Sequence, residues 1–131
     1  VVDENLVRAV RGMLQAASGE QGTGKRAMIE GYSVGGKTGT ARKTKVGGGY
    51  DENRHMSVFA GLSPIKKPRL VTVVVIDEPN EDLYSGGLVA APVFSEVTGN
   101  ALRLLQVTPD QLDTGRTVAS LLRVPRKRED S

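Results

Sequence analysis

The chain has 131 residues, 38% hydrophobic, 25% charged and only 4% aromatic, and its 18 Lys+Arg outnumber 15 Asp+Glu for a formal charge of +3. That size suits one modest domain, since a chain of about 150 residues buries roughly two-thirds of its unfolded surface. The absence of Cys excludes a disulfide scaffold, a thiolate metal site and a cysteine nucleophile.

The first segment, Asp3 to Ser18, is predicted to be helical. Asp3 is a suitable N-cap, Leu6, Val10, Met13 and Leu14 fall at helical spacing, and Gly19 is a natural stop. The glycine-rich stretch Gly19–Gly24 then interrupts regular structure. Three strand-like runs follow: about Gly35 to Arg42, about Met56 to Leu62, and Leu70 to Ile76, with Gly47-Gly48-Gly49 in the first connection. Ser63-Pro64-Ile65-Lys66-Lys67-Pro68 suits an exposed hairpin turn. The third run, Leu-Val-Thr-Val-Val-Val-Ile, does not alternate, which predicts a strand covered on both faces by helices. A second helix is expected from near Pro92, with Val93, Val97, Ala101 and Leu105 as the stripe that packs on the sheet. Beyond Leu112 the chain is polar, with a short helical piece expected around Val118 to Leu122. The fold class read from this is α+β: three antiparallel strands flanked by helices.

Much of the excess positive charge lies at the end, in Arg123, Arg126, Lys127 and Arg128, opposed by Glu129 and Asp130. A nucleic-acid surface spreads basic residues over a face and adds aromatics for stacking. With two Phe, three Tyr and no Trp, this end reads as a solvated tail, and no nucleic-acid partner is expected.

Gly31–Thr38 spells G-x-x-x-x-G-K-[ST], the phosphate loop, and Val73–Glu78 is an apolar run ending in acids that could help hold Mg²⁺. A phosphate loop, however, joins a buried strand to a helix that faces the phosphates. Only Ala27-Met28-Ile29 precedes, and Thr38–Thr44 is β-branched and contains glycine, so a glycine-rich turn is expected and a P-loop nucleotide-binding domain is the alternative. A near-match at Gly19–Lys25 has Arg26 where the hydroxyl belongs. His55 has no neighbours at metal-ligand spacing and reads as a loop or strand-edge residue; neither metal nor cofactor is expected. Asp51 and Glu52 read as a solvated loop. Ser63-Pro64-Ile65-Lys66 spells S-x-x-K, but that nucleophile motif needs a helix start, and the flanking prolines predict a turn.

Lys37-Thr38-Gly39-Thr40 carries more chemistry. Thr38 and Thr40, two apart, point to one side of a strand. Two hydroxyls and an ammonium on one strand face can hold a carboxylate, and Gly39 lets another backbone approach. On a sheet edge the free backbone groups could also take an extended peptide. A non-catalytic peptide-binding module, or a polar edge strand without a ligand, stays open at this point.

Taken in order, Gly31-Tyr32, Gly36-Lys37-Thr38-Gly39-Thr40-Ala41, Gly49-Tyr50, Phe59-Ala60-Gly61-Leu62-Ser63-Pro64, Val73–Pro79 and Gly86-Gly87-Leu88-Val89-Ala90-Ala91-Pro92-Val93-Phe94 resemble the C-terminal part of the transpeptidase domain of class B penicillin-binding proteins. The likeness is closest to the septal, division-specific D,D-transpeptidases of the penicillin-binding protein 3 type. It covers residues 1–110 and leaves 111–131 as a tail, expected to be partly disordered.

The resemblance implies a serine enzyme that crosslinks peptidoglycan stem peptides and is acylated by β-lactams. Of that family's three motifs, S-x-x-K, S-x-N and K-[ST]-G-[ST], this chain has only the third. The nucleophile is therefore expected in an upstream part of the same domain. By resemblance, Lys37 favours proton transfer beside the second motif, and the Thr38 and Thr40 hydroxyls bind the terminal carboxylate of the peptide or β-lactam. Gly39 lies between them, and the Thr40 N–H completes an oxyanion hole, a donor of a kind typically worth about 3–4 kcal/mol in the transition state. Tyr50 and Tyr84 match aromatics near the cleft, and Ser85 stands where the septal type often has a second aromatic. The same resemblance implies partners among cell-division proteins. It also implies a place on the periplasmic face of the bacterial inner membrane, with an anchoring N-terminal helix outside these residues.

The isolated chain is expected to form no covalent adduct with a labelled penicillin, as read by intact mass. A label on Ser63 would show that the S-x-x-K spelling was wrongly set aside.

Overall fold

In the computed structural model, which describes residues 2–80 and 82–111, helix α1 (Glu4–Ser18) starts where the sequence predicts. Oδ1 of Asp3 accepts the Asn5 amide at 2.8 Å and the Leu6 amide at 3.3 Å, satisfying two otherwise unpaired donors of the first turn. Three strands follow, β1 (Gly35–Thr44), β2 (Tyr50–Ser63) and β3 (Leu70–Asp77), in one antiparallel sheet of order β1-β2-β3. Helix α2 (Gly86–Leu104) completes the described elements, apart from a single 3-10 turn at Lys25–Ala27.

The first hairpin is longer than predicted: β1 runs on to Thr44 and β2 begins at Tyr50, so Asp51 and Glu52 lie on a strand rather than in a loop. Gly47, Gly48 and Gly49 have φ of +98, +104 and +81°, a region that costs glycine little and other residues much. The turn they make closes with Lys45 N–H donating to Gly49 O at 3.0 Å and brings Thr44 opposite Tyr50. Most side chains of these outer arms face solvent, so no hydrophobic alternation marked them in the sequence.

α2 covers one face of the sheet. Thr38, Phe59 and Val74 share that face by register, and the Phe59 and Phe94 rings meet at 4.8 Å between centroids. The stripe that packs is Ala90, Phe94, Thr98 and Leu102, all 0% exposed, whereas Val93 and Val97, expected inside, are 38% and 53% exposed. The helix also starts at Gly86, leaving Pro92 within it. Both differences have one cause. Gly86 seats the first turn on the strands and Gly87 seats it on the loop at Thr23, and those contacts, with Phe94 against Phe59, set the rotation. α2 carries apolar residues nearly all round, so periodicity alone did not choose among its faces.

α1 approaches from the opposite side, where a Cβ on Gly35 would lie 3.3 Å from Leu14 Cβ. It covers only the start of β1, and Leu6, Val10 and Met13 of the predicted stripe are exposed. β3 is consequently not covered on both faces as its sequence suggested. Its residues alternate in burial, with Val71, Val73 and Val75 exposed on the face away from α2.

Backbone after α2 returns to fasten the segment that leads into β1. Tyr32 Oη donates to Val107 O at 2.7 Å, and Gln111 N–H donates to Gly31 O at 3.0 Å. Asp110 accepts the Ser33 amide at 2.7 Å and also its hydroxyl. The β2–β3 turn joins this cluster through Ser63 Oγ and Ile65 N–H, which donate to Ser33 O at 2.9 and 3.0 Å. Ser63 and Ile65 are therefore buried, and it is Lys66 and Lys67 that make the turn exposed. The helical piece predicted around Val118 to Leu122 and the basic end lie outside the described residues.

One ion cluster spans the sheet near its other end. Lys43 Nζ lies 2.8 Å from Asp77 Oδ1 and 2.7 Å from Glu78 Oε1, and Arg54 Nε donates to the same Glu78 oxygen at 2.8 Å. Hydrogen bonds from Lys43, then from Arg54, hold the Glu78 carboxyl below the ordinary glutamate range. A lowered acid of this kind adds stability that is full above the ordinary range and is lost as pH falls through the folded value. Glu78→Gln should therefore lower the urea midpoint slightly at pH 7 and flatten its decline between about pH 5 and 3, the effect staying small because the groups are exposed. Parallel pH profiles for the two proteins would show that the cluster contributes nothing.

Candidate active site

Lys37-Thr38-Gly39-Thr40 lies in β1, on an edge of the described sheet, paired with Ala60, Phe59, Val58 and Ser57. Thr38 and Thr40 share one face of the strand, as expected, and that face is the α2 side. Lys37 does not share that face, because strand alternation sends its Cβ to the other. Its long side chain compensates: Nζ curls back to donate to Thr38 O at 3.2 Å and Thr38 Oγ1 at 3.3 Å. Ammonium and hydroxyl thus meet around the strand's edge, with Lys37 and Thr40 exposed and Thr38 half-buried.

Each hydroxyl has a partner from a different part of the chain. Thr38 Oγ1 lies 3.1 Å from Thr23 Oγ1, within hydrogen-bonding distance. Thr40 Oγ1 accepts the Gly86 N–H at 3.2 Å. Because Gly86 donates, the Thr40 O–H hydrogen is left to donate elsewhere. Gly86 also opens α2, whose N-terminus carries partial positive charge, and the N-cap Ser85 makes no side-chain capping bond. An ammonium, hydroxyl donors and a helix N-terminus gathered on one edge suit an anionic group such as a carboxylate. Thr23 was missed by the reading of the sequence. Its signal was the Gly22-Thr23-Gly24 spelling: a Cβ on Gly87 would sit 2.3 Å from Thr23 O, so only glycine allows the loop and α2 to touch there.

The two predicted tyrosines separate. Tyr84 stands beside the strand: Ser57, the register partner of Thr40, donates its hydroxyl to Tyr84 O. The Tyr84 ring stacks on His55 at 3.9 Å between centroids and 12° between planes. His55 is a buried residue of β2, the middle strand of the described sheet, rather than the loop or strand-edge residue expected. Tyr50 is 67% exposed at the start of β2, paired with Thr44, and is not brought to Lys37–Thr40.

The other spellings dissolve in the structure. Lys37 and Thr38 continue into β1 with no helix after them, so Gly31–Thr38 is not a phosphate loop. Asp77 and Glu78 are bound by Lys43, and among the described residues no group of His, Asp and Glu is placed to hold a metal ion. Ser63 is fully buried and donates to Ser33 O at 2.9 Å while Lys66 is exposed, so they form no nucleophile–base pair.

Comparison with known proteins shows what the chain as a whole is similar to. A sequence model described as "Penicillin binding protein transpeptidase domain" matches residues 1–99. The chain is 39% identical over 118 residues to the probable peptidoglycan D,D-transpeptidase PenA of Neisseria gonorrhoeae, covering 90% of this chain and 20% of that protein. It is 41% identical over 115 residues to the peptidoglycan D,D-transpeptidase FtsI of Escherichia coli K12, covering 88% and 19%. The apo structure of the TP domain of Burkholderia pseudomallei penicillin-binding protein 3 superposes with a TM-score of 0.71 at 45% identity, over 80% of this chain and 31% of that one. The chain spans about a fifth of the length of the curated relatives it matches.

The contact that places Thr40 is open to direct test. A Cβ on Gly86 would fall 2.4 Å from Val58 O and 2.5 Å from Gly39 O, both backbone atoms. Gly86→Ala is expected to lift the first turn of α2, to cost about 1–3 kcal/mol as overpacking does, and to speed hydrogen exchange at the residue 86 amide. An unchanged melting temperature with a still-protected amide would contradict the packing described.

Proposed function

The chain belongs to the penicillin-binding-protein transpeptidase domain family, and on that premise we propose that it supplies the edge strand of the active site in a peptidoglycan D,D-transpeptidase of the septal type. The observation that carries this is the Lys37–Thr40 edge, with its ammonium, two alcohols and the α2 N-terminus within reach of one another.

The chemistry assigned to it is acyl transfer. A serine hydroxyl from an upstream part of the domain gives its proton to the lysine of its own S-x-x-K motif and attacks the carbonyl of the penultimate D-alanine of a stem peptide, or the carbonyl of a β-lactam. The negative charge that develops on that oxygen is received by the Thr40 N–H and by the serine's own N–H. The C–N bond breaks, and the leaving nitrogen takes that proton back through the hydroxyl of the S-x-N motif, beside which Lys37 would stand. With a stem peptide the terminal D-alanine departs, and the amine of a second stem peptide then attacks the acyl-enzyme and releases the serine. With a β-lactam the opened ring stays attached.

Thr38 and Thr40 act throughout on the terminal carboxylate. Thr40 is suited to it because Gly86 already occupies an acceptor site of its oxygen, so the hydroxyl meets the anion as a donor. The Lys37 ammonium lies on the same edge and attracts the anion. Tyr84 borders the same place, whereas Tyr50 would have to reach it from the hairpin. No metal or cofactor enters. On this reading the strand works on the periplasmic side of the inner membrane, and cell-division proteins are its partners.

The test uses the protein in which this chain adjoins the S-x-x-K and S-x-N segments. Thr40→Val keeps the shape and removes the hydroxyl, and a hydrogen bond to a charged group is worth about 1.5–3 kcal/mol. The second-order rate of acylation by a fluorescent penicillin should fall about ten- to hundredfold, and Lys37→Met should fall at least as far. Wild-type rates in both variants would end the proposal, and binding without a covalent adduct would favour the non-catalytic peptide-binding reading.

A further inference from the structure

We infer that His55, on β2 and outside the strand that meets the ligand, is a positioning residue that holds Thr40 through Tyr84; this rests on the function proposed above. Residues 84–86 run across the α2 side of β1 and β2 and are pinned at three points. The Tyr84 ring lies flat on the His55 ring, 3.9 Å between centroids at 12°. The Tyr84 carbonyl accepts the Ser57 hydroxyl. The Gly86 amide donates to Thr40 Oγ1 at 3.2 Å.

The order of these contacts matters. His55 and Ser57 lie on the same face of β2, opposite Arg42 and Thr40 on β1. His55 is 8% exposed and Ser57 fully buried, while Tyr84 is 42% exposed. The tyrosine is therefore a lid with a fixed underside: its outer surface meets solvent or ligand, and the imidazole beneath determines where it rests. Among the described residues, Asp82 and Leu83 have few other fixings. Asn80 O accepts the Leu83 amide and Asn80 Oδ1 the Asp82 amide, and Leu83 is 52% exposed. Without the stack, Tyr84 would be tied by the Ser57 bond alone, while Ser85 O still accepts the Leu88 and Val89 amides, so the Tyr84–Ser85 peptide would tilt and turn the Gly86 N–H off its line to Thr40. Thr40 would then lose the donor that fixes which way its own hydroxyl points.

What His55 supplies is a flat ring rather than a proton. A planar aromatic at position 55 should serve as well, and an aliphatic residue of similar bulk should not. Stacked aromatic pairs contribute an amount that corresponds to about a three- to tenfold change in rate.

The experiment again uses the protein that joins this chain to the serine-bearing segment, with acylation by a fluorescent penicillin as the readout. His55→Leu is expected to slow acylation about three- to tenfold, and His55→Phe to restore at least half of the wild-type rate. In a Tyr84→Ala background His55→Leu should have no further effect, because the ring it braces is gone. Equal rates for His55→Leu and wild type, equal losses for Leu and Phe, or full additivity with Tyr84→Ala each overturn the brace. If His55→Leu does not fold, the Phe variant and the Ser57→Ala variant carry the test, the latter expected to slow acylation by a similar factor and, if it does not, overturning the three-point fixing. Thr40→Val measured alongside separates the two ideas. A slow Thr40→Val with an unaffected His55→Leu sinks the brace alone, whereas an unaffected Thr40→Val sinks the reading of the strand and the brace with it.

Discussion

At Gly86 the first turn of α2 rests on the backbone of the β1–β2 pair, with room for a hydrogen and nothing larger against Val58 O and Gly39 O. This approach of backbone to backbone is the constraint on which the rest depends. It fixes the height of α2 above the sheet and so allows Phe94 to reach Phe59. It fixes the rotation of the helix and so selects Ala90, Phe94, Thr98 and Leu102 as the buried stripe. It also brings the N-terminus of a helix beside the strand that carries Lys37, Thr38 and Thr40, with the Gly86 amide donating to Thr40. A side chain at 86 would disturb core and site together, because the same contact serves both.

The site is assembled by saturating acceptors. Thr40 accepts from Gly86, and Thr38 accepts from Lys37 while sharing a hydrogen bond with Thr23. A hydroxyl whose acceptor role is already filled meets an incoming group as a donor, which favours an anion. The ammonium and the α2 N-terminus add charge of the same sign. No single one of these features identifies a ligand, but all of them prefer negative charge at one place, an agreement that a polar edge strand without a ligand has no reason to show.

The fold leaves two apolar surfaces open among the described residues. Leu6, Val10 and Met13 of α1 face away from the sheet, and Val71, Val73 and Val75 of β3 line the face that α2 does not cover. An edge strand with exposed valines is prone to pair with other chains. The valines explain why β3 read as buried on both sides: its composition is that of a covered strand, although within these residues only one face has a helix upon it.

Local chemistry made much of this legible in the sequence. The Asp3 cap, the extended character of Gly35–Arg42, the apolar β3 and the unsuitability of Gly31–Thr38 as a phosphate loop all follow from near neighbours, because caps, turns and strand preference act over a few residues. So did the order helix, three strands, helix, and the ordered motifs by which the family was named. Tertiary structure alone decided which stripe of α2 is buried, that Lys37 reaches Thr38 around an edge, that Thr23 joins the site from 15 residues away, and that His55 lies beneath Tyr84. Those outcomes depend on elements distant in the chain meeting at distances of a few ångströms. A sequence specifies them only through the packing of the whole, since the residues involved carry no local signal that they will touch.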